Sequence, residues 1–243
     1  MTPYFALGYV RPTMHGLYAI VDAGALDQRS LDPLAFAEAV LLAYPAALQL
    51  RAKNVSARET LALLRALAPM CHRAGVLLVA NDRPDLAILA GCDLVHVGQD
   101  DMPVERVRRI APGLRIGVST HTIEQLDTAL AMRPAYVAFG PVFSTTTKIN
   151  PDPVVGIAGL GAAYVRARAA GIPLVAIGGI TYERGRAIVA MADAVAVVAD
   201  LLPAPATPDV PSAAGDPYRE ITARARALSS LFTPPRARAG AGL

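Results

Sequence analysis

Eight short apolar runs alternate with longer amphipathic stretches along most of the chain, and this alternation constrains the fold more than any other feature of the sequence. Each run is apolar nearly throughout, which is typical of a parallel strand covered on both faces. The runs predict strands at residues 17–22, 47–51, 76–81, 94–98, 115–119, 136–140, 173–178 and 194–199.

The stretches between these runs carry apolar residues at helical spacing. They predict helices at 31–43, 56–73, 84–90, 103–110, 122–131, 157–170 and 182–191. Ser56, three residues before Glu59, is typical of a capping box at a helix start. Eight strands with intervening helices in 243 residues indicate a single (β/α)8 TIM barrel. A doubly wound open sheet is the alternative, but no G-x-G-x-x-G motif follows the first strand.

A Pro/Ala-rich insertion separates the eighth strand from the last helix. Residues 203–215 hold too many prolines for a regular helix, and a helical pattern resumes only at 218–232. We therefore expect a barrel domain at 17–231, preceded by an N-terminal segment at 1–16. Within it we expect 203–215 to be a flexible loop, and we expect 232–243 to be a disordered tail.

Composition argues against several classes of partner. Lys and Arg exceed Asp and Glu by only 23 − 20 = 3, and no basic run is interleaved with aromatic residues, so a nucleic-acid surface is not expected. The longest apolar run, at 192–202, is interrupted by Asp193 and Asp200 and is too short to span a membrane. Two cysteines without metal-ligand spacing and a start without a signal-peptide pattern indicate a cytoplasmic protein.

Polar residues cluster where the predicted strands end. They are Gln49, Arg51, Lys53, Asn81, Asp82, Asp100, Asp101, Ser119, His121, Thr145, Thr146, Thr147, Lys148, Gly178 and Gly179. The carboxyl ends of the strands form the active-site face of such barrels, so we expect these residues to converge.

The converging residues suit a phosphorylated, metal-bound substrate. Two carboxylates with an asparagine match Mg²⁺, which takes few protein ligands besides phosphate oxygens and water. Arg51, Lys53 and Lys148 are cations that match a diphosphate. A second anion site is expected after the seventh and eighth strands, where backbone N–H groups commonly hold a phosphate.

Structural explanations remain open for several of these residues. Asp82 can cap the helix that starts near residue 84, and Asp100 or Asp101 can cap the helix that starts near residue 103. His96 lies inside an apolar strand, which favours a hydrogen-bonded interior residue over a metal ligand.

Five ordered motifs resemble those of the thiamine-phosphate synthase (thiamine-phosphate diphosphorylase) family, from about Leu17 to Leu201. They are LQLRAK, NDRPDLAILAGCDLVHVGQDDMP, IGVSTH, YVAFGPVFSTTTK and AIGGI. The resemblance implies a TIM-barrel transferase of thiamine biosynthesis that uses Mg²⁺. Such an enzyme joins 4-amino-2-methyl-5-(diphosphooxymethyl)pyrimidine to 4-methyl-5-(2-phosphooxyethyl)thiazole and releases diphosphate with thiamine phosphate. The resemblance does not decide the oligomeric state, and a homo-oligomer is one possibility.

The motifs assign roles by position. Those implied to bind the pyrimidine diphosphate are Gln49, Leu50, Arg51, Ala52, Lys53, Asn81, Ser119 and Lys148, of which Arg51, Lys53, Ser119 and Lys148 are the implied catalytic residues. Asp82 and Asp101 are implied to bind Mg²⁺. Asp101 is chosen over Asp100 because the metal ligand of the family is the second acidic residue after Gly-Gln. Those implied to hold the thiazole phosphate are Thr145, Thr146, Thr147, Gly179, Val198 and Ala199.

The chain departs from the family pattern near the eighth strand. Ala199 stands where the family usually has serine, and the Pro/Ala-rich stretch stands where the family usually continues with a short helix. Two alternatives therefore stay open. One is the related thiazole tautomerase, whose members typically lack the full pyrimidine-diphosphate set, and the other is a non-catalytic barrel that binds a phosphorylated ligand.

Overall fold

Eight parallel strands form a closed barrel in the computed structural model, which describes residues 14–145, 152–204 and 216–232. The strands are β1 Gly16–Asp22, β2 Ala47–Arg51, β3 Leu77–Asn81, β4 Leu94–Val97, β5 Arg115–Thr120, β6 Tyr136–Phe139, β7 Leu174–Ile177 and β8 Ala194–Val197. Each pairs with its neighbours in chain order, and β1 closes the barrel on β8 with Gly16 opposite Ala194.

Helices cover the outside of the barrel. Over the described residues they are α1 Ala23–Asp27, α2 Pro33–Leu41, α3 Ala57–Ala74, α4 Pro84–Ala90, α5 Val104–Ile110, α6 Ile123–Ala131, α7 Gly156–Ala170, α8 Tyr182–Ile188 and α9 Pro217–Ser230. Single 3-10 turns follow at Val189–Met191 and Ala199–Leu201. At the start of α3, Ser56 and Glu59 form the expected capping box.

The predicted (β/α)8 TIM barrel is thus confirmed, with strand boundaries within two residues of the expected ones. Sequence patterns missed α1, because five residues are too few to show helical spacing. Asp22 starts this helix, since its Oδ1 accepts from the Ala25 N–H at 2.9 Å. The predicted helix at 182–191 ends as an α-helix at Ile188 and tightens into the 3-10 turn.

The buried residues form two layers because side chains alternate along each strand. In β2, Leu48 and Leu50 belong to the layer between strands and helices, whereas Ala47 belongs to the layer inside the barrel. Tyr18 and Tyr136 also belong to the inner layer. The same alternation turns the inward positions at the carboxyl ends of the strands toward the barrel mouth.

The N-terminal segment, the insertion predicted to be flexible and the tail predicted to be disordered fall mainly outside the described residues. The N-terminal segment is described only from Met14, the 203–215 insertion only at its first two residues, and the tail only at Phe232. The boundaries of these segments therefore stay predictions. Among the helices that the structure describes, none combines the length and apolarity that a bilayer crossing requires.

Candidate functional site

Two aspartates and a lysine, which follow β3, β4 and β2, lie close together at the mouth of the barrel. Lys53 donates from Nζ to Oδ2 of Asp82, and the Asp101 carboxyl group is near enough to interact electrostatically with that of Asp82. Asp101 is held in turn by the Gly98 N–H, 2.7 Å from its Oδ2. Burial raises the pKa of Asp82; Lys53 lowers it and Asp101 raises it, and the net shift is upward.

Neither aspartate caps a helix, so the capping explanation is wrong. The residue before α4 is Arg83 and the residue before α5 is Pro103, and neither helix start has a side-chain cap. Asp82 has a φ of 61°, in the left-handed region, and its N–H donates to the His96 carbonyl at 2.8 Å. Aspartate is among the residues that tolerate this conformation, which here accompanies a functional candidate.

Arg51, the last residue of β2, pairs with Asp22, the last residue of β1. Asp22 is only 6% exposed, and it divides its oxygens between two tasks. Oδ1 caps α1, and Oδ2 accepts from Nη1 of Arg51. Sequence reasoning missed Asp22, although its position at the inward end of a strand was an available signal.

A chain of hydrogen bonds crosses the barrel interior below these charged groups. Gln49 Nε2 lies 2.7 Å from the Tyr18 hydroxyl, which lies 2.7 Å from the Tyr136 hydroxyl. The Tyr136 hydroxyl lies 2.8 Å from Nδ1 of His96, and Nε2 of His96 lies 2.7 Å from Oγ of Ser119. Two predicted substrate-binding residues, Gln49 and Ser119, are thus connected through three residues that the sequence did not assign to the site.

His96 is a buried, hydrogen-bonded interior residue, as its place in an apolar strand predicted. Burial lowers its pKa to about 4, so the ring is neutral at physiological pH. Its ring stacks on that of Tyr136, with centroids 5.6 Å apart. Gly117 makes room for this tyrosine, because a Cβ there would lie 2.1 Å from the Tyr136 Cζ.

The loops after β6 and β7 bind each other through their backbones. Val142 N–H donates to the Ile177 carbonyl at 2.9 Å, and Phe143 N–H donates to the Gly178 carbonyl at 3.0 Å. Gly179 has a φ of 62°, and a Cβ there would lie 2.2 Å from the Ser144 carbonyl oxygen. Only glycine allows this approach, which brings Gly179 next to the start of the threonine segment.

Of the threonine segment, only Thr145 is described. Thr146, Thr147 and Lys148, three of the predicted site residues, lie outside the described residues. Their assigned roles stay predictions.

Arg184 lies beside the Gly179 loop and was not predicted as a site residue. Its Nη1 donates to the Gly179 carbonyl at 2.6 Å, and its guanidinium lies 5.0 Å from the centre of the Phe143 ring. Strand β8 leads through Val198 into the 3-10 turn that begins at Ala199. The Pro/Ala-rich stretch begins after this turn and lies outside the described residues from residue 205, so the expectation that it replaces a short helix stays a prediction.

The remaining predicted residues divide by the direction of their side chains. Leu50 is 2% exposed and packs against the helices, so only its backbone is available to a ligand at the mouth. Ala52, Lys53, Asn81 and Asp82 line one cleft. Within the described ranges, no three His, Cys, Asp or Glu side chains cluster as a metal site, so the candidate metal centre consists of two carboxylates.

Comparisons with known proteins identify the family to which the chain is similar. The family model of thiamine monophosphate synthase matches residues 17–201. A thiamine-phosphate synthase of Koribacter versatilis is 49% identical over 194 residues, covering 76% of this chain and 88% of the relative. One of Roseiflexus castenholzii is 41% identical over 197 residues, covering 80% and 84%.

A solved structure agrees as well. The thiamine phosphate pyrophosphorylase of Pyrococcus furiosus superposes with a TM-score of 0.73 at 26% identity, covering 92% of this chain and 98% of that one. The residues that the family model matches include β1 from Leu17 onward and all of β2 to β8. The chain therefore belongs to the thiamine monophosphate synthase family.

Proposed function

We propose that this chain is a transferase that condenses 4-amino-2-methyl-5-(diphosphooxymethyl)pyrimidine with 4-methyl-5-(2-phosphooxyethyl)thiazole. The products are thiamine phosphate and diphosphate, and the reaction depends on Mg²⁺. One observation carries the proposal beyond family membership: two interacting carboxylates, Asp82 held by Lys53 and Asp101 held by the Gly98 N–H, lie at the same barrel mouth as Arg51.

The carboxylate pair fits Mg²⁺. Two acidic side chains that interact repel each other, and the raised pKa of Asp82 reflects its burial and its interaction with Asp101, which Lys53 offsets only in part. Mg²⁺ commonly uses one or two protein carboxylates and completes its shell with water and substrate phosphate. Asp82 and Asp101 would hold the ion, which when bound supplies positive charge to the diphosphate.

Arg51 and Lys53 stabilise the departing diphosphate. In this dissociative displacement the bond from the pyrimidine methylene carbon to the diphosphate oxygen breaks ahead of bond formation, and the thiazole nitrogen then forms its bond to that carbon. The nitrogen already carries a lone pair, so no general base is needed. The aminopyrimidine donates electrons to the carbon as the bond breaks, and catalysis consists mainly of positioning and charge stabilisation. Lys148 is the third cation that we assign to this leaving group.

The thiazole phosphate occupies the opposite side of the mouth in this proposal. Gly179 offers a backbone N–H in a left-handed conformation, and Thr145, Thr146 and Thr147 offer hydroxyls. Val198 and Ala199 offer the backbone at the start of the 3-10 turn. The cytoplasm is the compartment that we propose, since Cys71 and Cys92 are both free thiols.

One assay tests the function. The protein is incubated with both substrates and Mg²⁺, and thiamine phosphate and diphosphate are measured with and without EDTA. We expect both products, their loss with EDTA, and a fall of roughly 10²-fold in Asp82→Asn, as for the loss of one charge-stabilising group.

Asp85→Asn is the matched control, because Asp85 is an exposed aspartate three residues away that pairs with Arg83. It should retain wild-type turnover. Tautomerisation of a thiazole without condensation, or ligand binding without turnover, would contradict the proposal.

A further inference from the structure

The hydrogen-bond chain inside the barrel has a direction, which follows from counting its protons. Gln49 presents Nε2 to Tyr18, and an amide nitrogen only donates. The Tyr18 hydroxyl therefore accepts from Gln49, and its own proton must find another acceptor because the side chain is only 2% exposed. The other partner of that hydroxyl is Tyr136, so Tyr18 donates to Tyr136.

The same count continues to the far end of the chain. Tyr136 is fully buried and already accepts from Tyr18, so its proton goes to Nδ1 of His96. Nδ1 is then the unprotonated nitrogen of the ring, and the ring proton lies on Nε2. His96 consequently donates to Oγ of Ser119, which leaves the Ser119 proton for a ligand.

We propose that Tyr18, Tyr136 and His96 are positioning residues that fix Gln49 as an acceptor and Ser119 as a donor toward an aminopyrimidine diphosphate. One N–H of the Gln49 amide donates to Tyr18, which fixes the amide orientation, and its Oε1 is the atom that can accept from an exocyclic amino group. The Ser119 hydroxyl donates to ring nitrogen or diphosphate oxygen, both of which only accept. The identity of the ligand in this inference rests on the proposed function. The direction of the hydrogen-bond chain from Gln49 to Ser119, which we call the relay, does not.

The relay explains why an apolar barrel interior contains two tyrosines and a histidine. Gln49 and Ser119 lie on β2 and β5, and neither strand pairs with the other. Residues from β1, β4 and β6 connect them, so five strands fix the hydrogen-bonding pattern that one ligand meets. A ligand with the opposite arrangement, an acceptor at Gln49 and only donors at Ser119, would leave buried groups unpaired and bind weakly.

The first test needs no substrate. Nitrogen-15 NMR of the histidine side chains reports which ring nitrogen carries the proton, and the His96 signals are identified by their loss in His96→Asn. We expect the Nε2–H tautomer at neutral pH in the intact protein. The Nδ1–H tautomer would mean that the relay runs from Ser119 to Gln49, and it would overturn the proposal.

The second test interrupts the relay with Tyr136→Phe, which removes one hydroxyl and keeps the ring. We expect the Nε2–H preference of His96 to weaken and kcat to fall roughly tenfold, about the effect of one hydrogen bond. The KM for the thiazole phosphate should not change, since that ligand does not meet Ser119. An unchanged kcat would overturn the proposal.

Tyr218→Phe is the matched control, because its hydroxyl also makes a long-range hydrogen bond, accepting from Asp32 N–H at 3.0 Å, but lies on α9. It should alter neither the tautomer nor kcat. If Tyr136→Phe does not fold, the tautomer of the intact protein alone decides the direction. If the protein is inactive and His96 carries its proton on Nε2, the proposed function and its ligand are refuted. If the protein is active and His96 carries its proton on Nδ1, only the direction of the relay is refuted.

Discussion

Arg51 depends on a carboxylate that lies outside every sequence motif quoted for the family. Asp22 binds the guanidinium with one oxygen and caps α1 with the other, which connects the first turn after β1 to the end of β2. An arginine held by a buried carboxylate loses less conformational freedom when it binds an anion than an unrestrained one.

The variant Asp22→Asn separates the two tasks of this residue. Asparagine retains an oxygen for the Ala25 N–H, so α1 should remain capped, while the charge that holds Arg51 is lost. We expect the KM for the pyrimidine diphosphate to rise roughly tenfold, the scale of one charge-assisted hydrogen bond. Steady-state kinetics with each substrate varied in turn will measure this.

Asp32→Asn is the control, because Asp32 caps α2 through the same kind of contact, to Leu34 N–H and Ala35 N–H. Its kinetics should match those of the wild type. A rise in both KM values of Asp22→Asn, or in neither, would show that Asp22 does not act through Arg51.

Strand and helix positions were predictable from the sequence because they depend on local periodicity, which each segment carries by itself. The same reasoning predicted that Asp82 and Asp101 come together, since both follow neighbouring strands. It did not predict the pairing of Tyr18 with Tyr136, which are 118 residues apart. That contact depends on the side-chain alternation and register of β1 and β6 across the barrel, which no local pattern specifies.

The short 3-10 turn after β8 carries the position at which the sequence resemblance implies a serine in place of Ala199. It begins at Ala199, which is exposed and offers a ligand only its backbone. We expect Ala199→Ser to lower the KM for the thiazole phosphate roughly fivefold, because one more hydroxyl can donate to the phosphate. An unchanged or higher KM would contradict the placement of the thiazole phosphate at this turn. Ala204→Ser serves as the control, because Ala204 lies a few residues farther along the chain and is also exposed.

At the scale of the whole molecule, ligand binding to the folded barrel should raise its thermal stability. Diphosphate with Mg²⁺, at about 100 times its dissociation constant, contributes about 2.7 kcal/mol to the free energy of unfolding. For a domain of this size that is a rise in Tm of about 5–10 °C. Differential scanning fluorimetry will measure it.

The shift should disappear with EDTA and in Asp82→Asn, and it should persist in Asp85→Asn. An equal shift without the metal would show that diphosphate binds through Arg51 and Lys53 alone. The two carboxylates would then have no part in holding a cation for it.

Because β1 pairs with β8, the barrel closes, and the site is completed, only after β8 has been synthesised. A nascent chain that has emerged as far as β7 already carries Arg51, Lys53 and both aspartates, but the barrel wall beside Asp22 is still open. The two sides of the mouth face each other only after the last strand has left the ribosome and joined the first. A truncated product that ends before β8 is therefore not a weaker form of this catalyst but a chain in which the two substrates have no common place to meet.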